Sequence, residues 1–363
     1  MTSRTILIMA GGTGGHVFPA LAVADYLKAH GWYVVWLGTR NGLEGKLVPQ
    51  YGYPMTWVSF SGVRGVGLMR WLCLPLTVLL ACLQSLPPLF RFRPNVVLGM
   101  GGFASFPGSL MAWLMHRPLV IHEQNAIAGL ANRVLARFAD RVLVAFPGAF
   151  AGKSISHSAL DATWCGNPVR AEIARIDLPE SRYQGRSGRL RLLVVGGSRG
   201  ASSLNDSVPH ALKLIDQSER PQVVHQGGTA TAELLRACYA AVGVEAEVHA
   251  FLDDMATRYA WSDLVLCRAG ALTIAELAAA GVASVLVPYP HAVDDHQTAN
   301  ARFLSDRHAA VLLSQIELTP ERLANLIRGF TRDKLLEMAK AARALAIPDA
   351  TERVARICME VAG

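Results

Sequence analysis

Short, almost wholly apolar runs recur along the chain, each followed by a turn and a longer stretch with helical spacing. Such runs read as strands buried on both faces. Their alternation with helical segments predicts parallel sheets covered by helices on both sides. Five strands are expected in the first half, at Thr5–Ala10, Tyr33–Leu37, Asn95–Met100, Leu119–His122 and Arg141–Ala145. A second series is expected at Arg191–Val195, Gln222–His225, Glu247–Phe251, Leu264–Cys267 and Ser284–Pro288. Each series opens alike, with a strand, a double glycine and a helix, as LIMAGGTGGH and LVVGGSRGA. The expected fold is therefore α/β, with two Rossmann-like parallel-sheet domains over 1–166 and 167–345. Asp349 and Glu352 form a capping-box pattern for a terminal helix over 346–363.

One segment breaks the alternation. Trp71 to Phe90 carries no charge, and its length suffices to span a bilayer. Pro75, Pro87 and Pro88 are expected to interrupt it, and Gln84 and Ser85 make its end polar. A span would also separate the first two strands from the next ones of the same sheet. The segment, flanked by Arg64, Arg70, Arg91 and Arg93, therefore reads as a helix partly in the core and partly laid on a membrane surface, with a wholly buried helix of the first domain as the alternative.

Charge narrows the class of partner. Residues 1–165 hold 13 Lys and Arg against 5 Asp and Glu, and the remainder holds 22 against 23, so the net +7 sits in the first half. That points to a phosphorylated substrate or an acidic lipid. No dense basic run or aromatic-rich binding motif accompanies it, which argues against nucleic acid. The six cysteines are scattered without a C-x-x-C pair, so neither a zinc site nor a disulfide framework is expected, and a reducing compartment fits. The apolar run at the N-terminus is too short for a signal peptide.

Three glycine turns carry the candidate chemistry. Amides at a helix start are unpaired and lie at the positive end of the helix dipole, and glycine lets a phosphate approach them. GGTGGH, Gly11 to His16, is such a turn. It does not meet the dinucleotide fingerprint, because Val17 holds the third glycine position and Val34–Gly38 carries no acidic residue. Gln222–Gln226 lacks one too, so nicotinamide chemistry is not expected. A tight turn without a ligand is the alternative for any single loop. The third turn, LCRAGALTIAEL, passes Gly270 into a helix near Ala271. Glu276 could accept the hydroxyls of a ribose there, or could pair with Thr273 as a capping box. Asp294 to Asn300 adds a polar cluster after the next strand.

Together these blocks resemble the two-domain nucleotide-sugar glycosyltransferases of the GT-B architecture, family 28. They carry the resemblance as AGGTGGHVFPALAVA, GMGGFASFPG, HEQNAIAG, GNPVR, GGSRGA, CRAGALTIAELAAAG, DDHQTANA and IPDATERVA, spread over nearly the whole chain in family order. The resemblance is to peripheral membrane enzymes of peptidoglycan synthesis. It implies transfer of N-acetylglucosamine from UDP-N-acetylglucosamine to the C4 hydroxyl of undecaprenyl-pyrophosphoryl-N-acetylmuramyl-pentapeptide (lipid I), giving lipid II. It also implies that the two domains face across a cleft, that the terminal helix joins the first domain, and that the enzyme works at the cytoplasmic face of the plasma membrane. Anionic lipid and cell-wall or division proteins are the further partners it implies.

The residue roles implied are these. Ser198, Arg170, Ala271, Leu272 and Thr273 lie near the donor diphosphate, continuing to Ile274 and Ala275. Leu252 sits by the uracil, Glu276 on the ribose and Gln297 on the sugar. Thr13, Gly14, Gly15 and Asn125 complete the donor site from the first domain. The acceptor pyrophosphate rests on Gly11, Gly12, Gly101 and Gly102, and Arg70, Trp71, Leu76 and Leu79 contact the membrane. No D-x-D metal motif occurs, and Asp253-Asp254 and Asp294-Asp295 read as surface or capping pairs, so no metal or other cofactor is expected. For the proton of the acceptor hydroxyl, His16 and Glu123 are both candidates. His16 could instead be a polar helix-start residue, and Glu123 could only orient Asn125. A diacylglycerol glycosyltransferase, a non-catalytic nucleotide-sugar or lipid-binding module and a nucleotide-sugar 2-epimerase are alternative readings of the same architecture.

Overall fold

The computed structural model describes residues 4–60, 73–151, 161–197 and 200–363. The chain divides into two compact units, Met1–Arg170 with Ile347–Gly363, and Ala171–Ala346. The first is built on seven strands: β1 (Thr5–Met9), β2 (Tyr33–Gly38), β3 (Met55–Trp57), β4 (Val96–Gly99), β5 (Leu119–Glu123), β6 (Arg141–Val144) and β7 (Ala162–Trp164). Their order is β3-β2-β1-β4-β5-β6-β7, and every pairing is parallel.

β1 shows why an uninterrupted apolar run is needed. Ile6, Ile8 and Ala10 enter one core with Val17 and Leu21, while Leu7 and Met9 enter the opposite one with Leu89 and Leu119. Both faces of the strand are dry. The closing helix Ala350–Val361 supplies Val354, Ala355 and Cys358 to the first of these cores, which ties the chain's end to this unit. The Thr351 hydroxyl donates to the Val169 carbonyl, and the Arg170 guanidinium stacks on Phe18. Residues 167–170 therefore belong to the first unit, and the division lies at Arg170 rather than at Gly166.

Two local expectations are corrected. Asp349 is the N-cap of the closing helix, but its side chain makes no cap bond. Its carboxylate accepts from Arg353 at 2.8 Å instead, and Glu352 pairs with Arg356, so ion pairs one turn apart replace the capping box. The uncharged segment forms one helix, Leu74–Phe92, and its prolines do not break it. Pro75 sits in the first turn, where no amide donor is needed. Pro87 and Pro88 lie near the far end, where burial of Pro88 and Leu89 offsets the lost bonds. The residues Trp71 and Leu72 lie outside the described ones.

The second unit has six parallel strands: β8 (Arg191–Val195), β9 (Gln222–Gln226), β10 (Glu247–His249), β11 (Leu264–Cys267), β12 (Ala283–Leu286) and β13 (Ala310–Leu312). Their order is β10-β9-β8-β11-β12-β13. β3, β7 and β13 were not expected. Each is a three-residue edge strand, too short to display a period. Strand order reverses direction between β1 and β4 in one sheet and between β8 and β11 in the other. Parallel sheets bind ligands outside the carboxyl ends of their strands at such switch points. The turns after β1, β4 and β11 all lie at these places.

Candidate functional site

The first glycine turn leads from β1 into the helix Gly14–Ala29. Thr13 is its N-cap, in extended backbone, with no side-chain cap bond. Helix geometry leaves the amides of Gly14 and Gly15 unpaired, while those of His16 and Val17 donate to the Thr13 carbonyl at 3.1 and 3.2 Å. Gly12 is different. Its amide donates to Glu44 Oε2 at 2.9 Å, and Glu44 is fully buried. Glu44 Oε1 accepts from the Thr39 amide at 3.0 Å and the Thr39 hydroxyl at 2.7 Å. An internal carboxylate thus holds the Gly12 amide, which argues against Gly12 as a donor to the acceptor pyrophosphate. The second turn of that expected pair, Gly101 and Gly102, packs on the first. A Cβ at Gly102 would lie 2.1 Å from the Gly11 carbonyl oxygen. Close approach of two backbones therefore accounts for glycine at Gly102, and the Glu44 carboxylate, 2.5 Å from where a Cβ would stand, for glycine at Gly11, in both cases without a ligand. Nothing in the spacing of GLEGKL marks Glu44 for this place.

The turn after β4 and the end of β5 bring the other candidates together. Glu123, at the end of β5, is buried. Its Oε1 accepts from the Asn125 amide at 2.9 Å and the Asn125 side chain at 3.2 Å. Its Oε2 accepts from the Gly129 amide at 3.1 Å and Asn132 Nδ2 at 2.9 Å. With both oxygens engaged, the carboxylate braces the loop 124–132. This is the geometry of an organising residue, the alternative role weighed for it above. His16 instead presents Nδ1 to two acceptors, the Met100 carbonyl at 3.1 Å and Gln124 Oε1 at 3.0 Å. Gln124 and His122 were not singled out from the sequence, although both stand in the HEQN block.

In the second unit the helix Ala271–Ala280 follows β11 directly. Gly270 is its N-cap and brings no side chain to the amides of Ala271, Leu272 and Thr273. The Ile274 amide is committed to the Gly270 carbonyl at 3.0 Å, and Ala275 lies one residue deeper in the helix, so the open donors end at Thr273. Thr273 is inside the helix rather than its cap, so the capping-box reading of Thr273 and Glu276 falls. Glu276 is buried and accepts from the Tyr259 hydroxyl at 3.2 Å. Burial and, second, the Glu276 charge push the Cys267 thiol up to about 12, which keeps it protonated.

Other candidates are placed as follows. The Leu252 amide donates to Gln226 Oε1 at 3.2 Å, and Leu252 is buried. Gln297 Oε1 accepts from the Tyr289 amide at 2.9 Å, which holds its side chain over the loop after β12. Arg170 stacks on Phe18 in the first unit, with its guanidinium carbon 5.5 Å from the ring centre. Asp295 accepts from the Thr298 hydroxyl at 2.7 Å, and Asp254 pairs with Arg258. Among the described residues, no three His, Cys, Asp or Glu side chains are grouped to hold a metal. Leu76 and Leu79 are more than half exposed on the helix Leu74–Phe92. That helix is long and apolar enough to cross a membrane by length and composition, with 28% of its apolar window buried. Ser198, Arg70 and Trp71 lie outside the described residues.

Comparison with known proteins matches two family models along the chain. The glycosyltransferase family 28 N-terminal domain matches residues 6–144, and the family 28 C-terminal domain matches residues 191–354. A relative from Dechloromonas aromatica (strain RCB) is 58% identical over 99% of both chains. One from Cupriavidus metallidurans is 57% identical over 100% of this chain and 99% of its own. Both are named UDP-N-acetylglucosamine–N-acetylmuramyl-(pentapeptide) pyrophosphoryl-undecaprenol N-acetylglucosamine transferase. The crystal structure of Acinetobacter baumannii MurG superposes with a TM-score of 0.82 at 40% identity, covering 98% of this chain and 99% of that one.

Proposed function

The chain belongs to glycosyltransferase family 28, and from that premise we propose that it transfers N-acetylglucosamine from UDP-N-acetylglucosamine to the C4 hydroxyl of lipid I. The product is lipid II, the disaccharide precursor of peptidoglycan. The observation that carries this reading in the molecule itself is the start of the helix Ala271–Ala280. Three amides open there at a switch point, with a buried carboxylate, Glu276, further along the same helix.

The second unit binds the donor. The amides of Ala271, Leu272 and Thr273 receive its diphosphate, Glu276 holds the ribose, Leu252 sits by the uracil, and Gln297 meets the sugar. As the bond from the anomeric carbon to the diphosphate oxygen breaks, negative charge grows on the leaving UDP. Preorganised amides stabilise that charge without reorganising. In the first unit the amides of Gly14 and Gly15, with the Thr13 hydroxyl, offer donors for a phosphate, and Glu123 holds Asn125 in place.

The acceptor oxygen attacks the anomeric carbon opposite the leaving group, so the configuration inverts. Its proton passes to His16 Nε2, and UDP departs with the electron pair of the broken bond. An imidazole suits this task because its ordinary pKa lies close to neutrality. The acceptor's lipid tail stays in the bilayer, so the exposed leucines of the helix Leu74–Phe92, with Arg91 and Arg93 at its end, lie on the cytoplasmic membrane surface.

Incubation with UDP-N-acetylglucosamine and a lipid-linked muramyl-pentapeptide tests the reading. Disaccharide formation is expected, with and without a chelator. UDP release without an acceptor would favour an epimerase, and donor binding without turnover would favour a non-catalytic module. Sugar transfer to diacylglycerol in its place would move the acceptor assignment.

A further inference from the structure

Behind His16 runs a chain of buried polar groups whose hydrogen positions can be deduced from one end. It begins at the Gly166 carbonyl, which can only accept. His122 Nε2 lies 2.9 Å from that oxygen, so Nε2 carries a hydrogen. The His122 ring is fully buried, and burial lowers its pKa to about 4, so it is neutral and its Nδ1 bears a lone pair. Gln124 Nε2 lies 3.1 Å from that Nδ1 and 2.8 Å from the Met100 carbonyl. Two acceptors face the two hydrogens of one amide nitrogen, which fixes the orientation of the amide. Gln124 Oε1 is thereby turned to His16 Nδ1 at 3.0 Å.

An amide oxygen only accepts, so His16 Nδ1 must donate. The Met100 carbonyl, 3.1 Å from the same nitrogen, makes the same demand. We propose that His122 and Gln124 are positioning residues that transmit the polarity of the Gly166 carbonyl to His16, holding it with hydrogen on Nδ1 and the lone pair on Nε2. The proposal rests on the reading of His16 as the proton acceptor of the transfer.

This arrangement has a further property. Nδ1 keeps its hydrogen whether His16 is neutral or protonated, so a proton can arrive at Nε2 without any partner behind it turning. Gly101 makes room for the relay. It adopts a φ of +84°, and a Cβ there would lie 2.8 Å from His16 Nδ1 and 3.1 Å from Gln124 Oε1. A side chain at this position would push apart the two groups that meet.

The test is nitrogen NMR of the full-length enzyme labelled with ¹⁵N-histidine, with His16 and His122 assigned by loss of signal in His16→Gln and His122→Gln. Long-range proton–nitrogen correlations distinguish a protonated ring nitrogen from an unprotonated one. In the neutral ring, His16 is expected to show an unprotonated Nε2, and His122 the opposite pattern with an unprotonated Nδ1. Gln124→Leu is expected to lower kcat about tenfold while leaving the donor KM nearly unchanged, because the ring loses its orientation rather than the site its substrate. A wild-type His16 with hydrogen on Nε2, or a Gln124→Leu enzyme with unaltered kcat, would overturn the proposal. If Gln124→Leu does not fold, the wild-type spectrum alone decides. Full activity in His16→Gln would instead remove the base assignment while the two tautomers remained as observed, so the two failures are distinguishable.

Discussion

The amide of Gly12 donates to Glu44 Oε2, so the glycine turn after β1 closes on a carboxylate of the chain itself. That carboxylate is fully buried and takes two more hydrogen bonds from Thr39. A Cβ at Gly11 would stand 2.5 Å from its Oε1. Glu44 and the glycine at position 11 therefore depend on each other. Glu44→Ala is expected to destabilise the protein by about 1–3 kcal/mol through its orphaned donors. Gly11→Ala is expected to destabilise it through the clash. The double variant should lose less than the sum, because removing the carboxylate makes space for the new methyl group. Thermal denaturation of the four proteins of this cycle measures the coupling, and strict additivity would contradict it.

If Glu276 holds the donor's ribose, as proposed, its removal separates donor binding from acceptor binding. Glu276 is buried, lies further along the helix Ala271–Ala280, and is not a cap of that helix. Glu276→Ala is expected to raise the KM for UDP-N-acetylglucosamine roughly tenfold, with the acceptor KM changing far less. Steady-state kinetics with each substrate varied in turn checks this. Equal effects on both would assign Glu276 to packing.

The proposed membrane contact lies on one helix, Leu74–Phe92. Leu76, Leu79, Leu80 and Leu83 are each about half exposed or more, and Phe90 is 63% exposed. Leu76→Glu with Leu79→Glu is expected to weaken binding to anionic vesicles by roughly tenfold or more, given the transfer energy of a leucine side chain. Turnover of a soluble acceptor analogue should persist. Sedimentation with vesicles at two salt concentrations measures the effect, and unchanged binding would place the anchor elsewhere.

Acid should destabilise each unit through one buried histidine. Burial lowers His122 to about 4 in the first unit and His225 to about 3 in the second. In the unfolded chain both titrate near 6.5. As pH falls through that value the unfolded state takes up protons that the folded state refuses. Stability is thus fully present above about pH 6.5 and declines below it, down to the folded pKa, by about 1.4 kcal/mol per pH unit for each histidine. Urea denaturation near pH 7.5 and near pH 5 measures this. His225→Gln should flatten the dependence of the second unit alone, as read by hydrogen exchange in β9.

Much of this molecule can be read from the order of its residues. Runs such as Ile6 to Ala10 and Leu264 to Cys267 are apolar on both faces, which only a covered parallel strand requires. The glycine turns after them mark where helices begin. Repetition of that pattern predicts two sheets, and the motif blocks predict the family. Local chemistry of this kind acts between neighbours in the chain, so it is visible there.

The partners that decide what each polar group does are distant in sequence. Gly12 meets Glu44 thirty-two positions later, and His16 meets Gln124 across one hundred and eight. Such pairings follow from strand order, because β1 lies between β2 and β4 and brings the turns after them to one edge. The sequence by itself determined the long central strands and the helices that follow them, the family and the candidates for catalysis, but not the three-residue edge strands β3, β7 and β13. Only the tertiary structure brought both Glu123 oxygens onto the loop 124–132, the Gly12 amide onto Glu44, and His16 Nδ1 between the Met100 carbonyl and Gln124 Oε1. A hydrogen bond is settled by directions in space, and a linear pattern does not contain them.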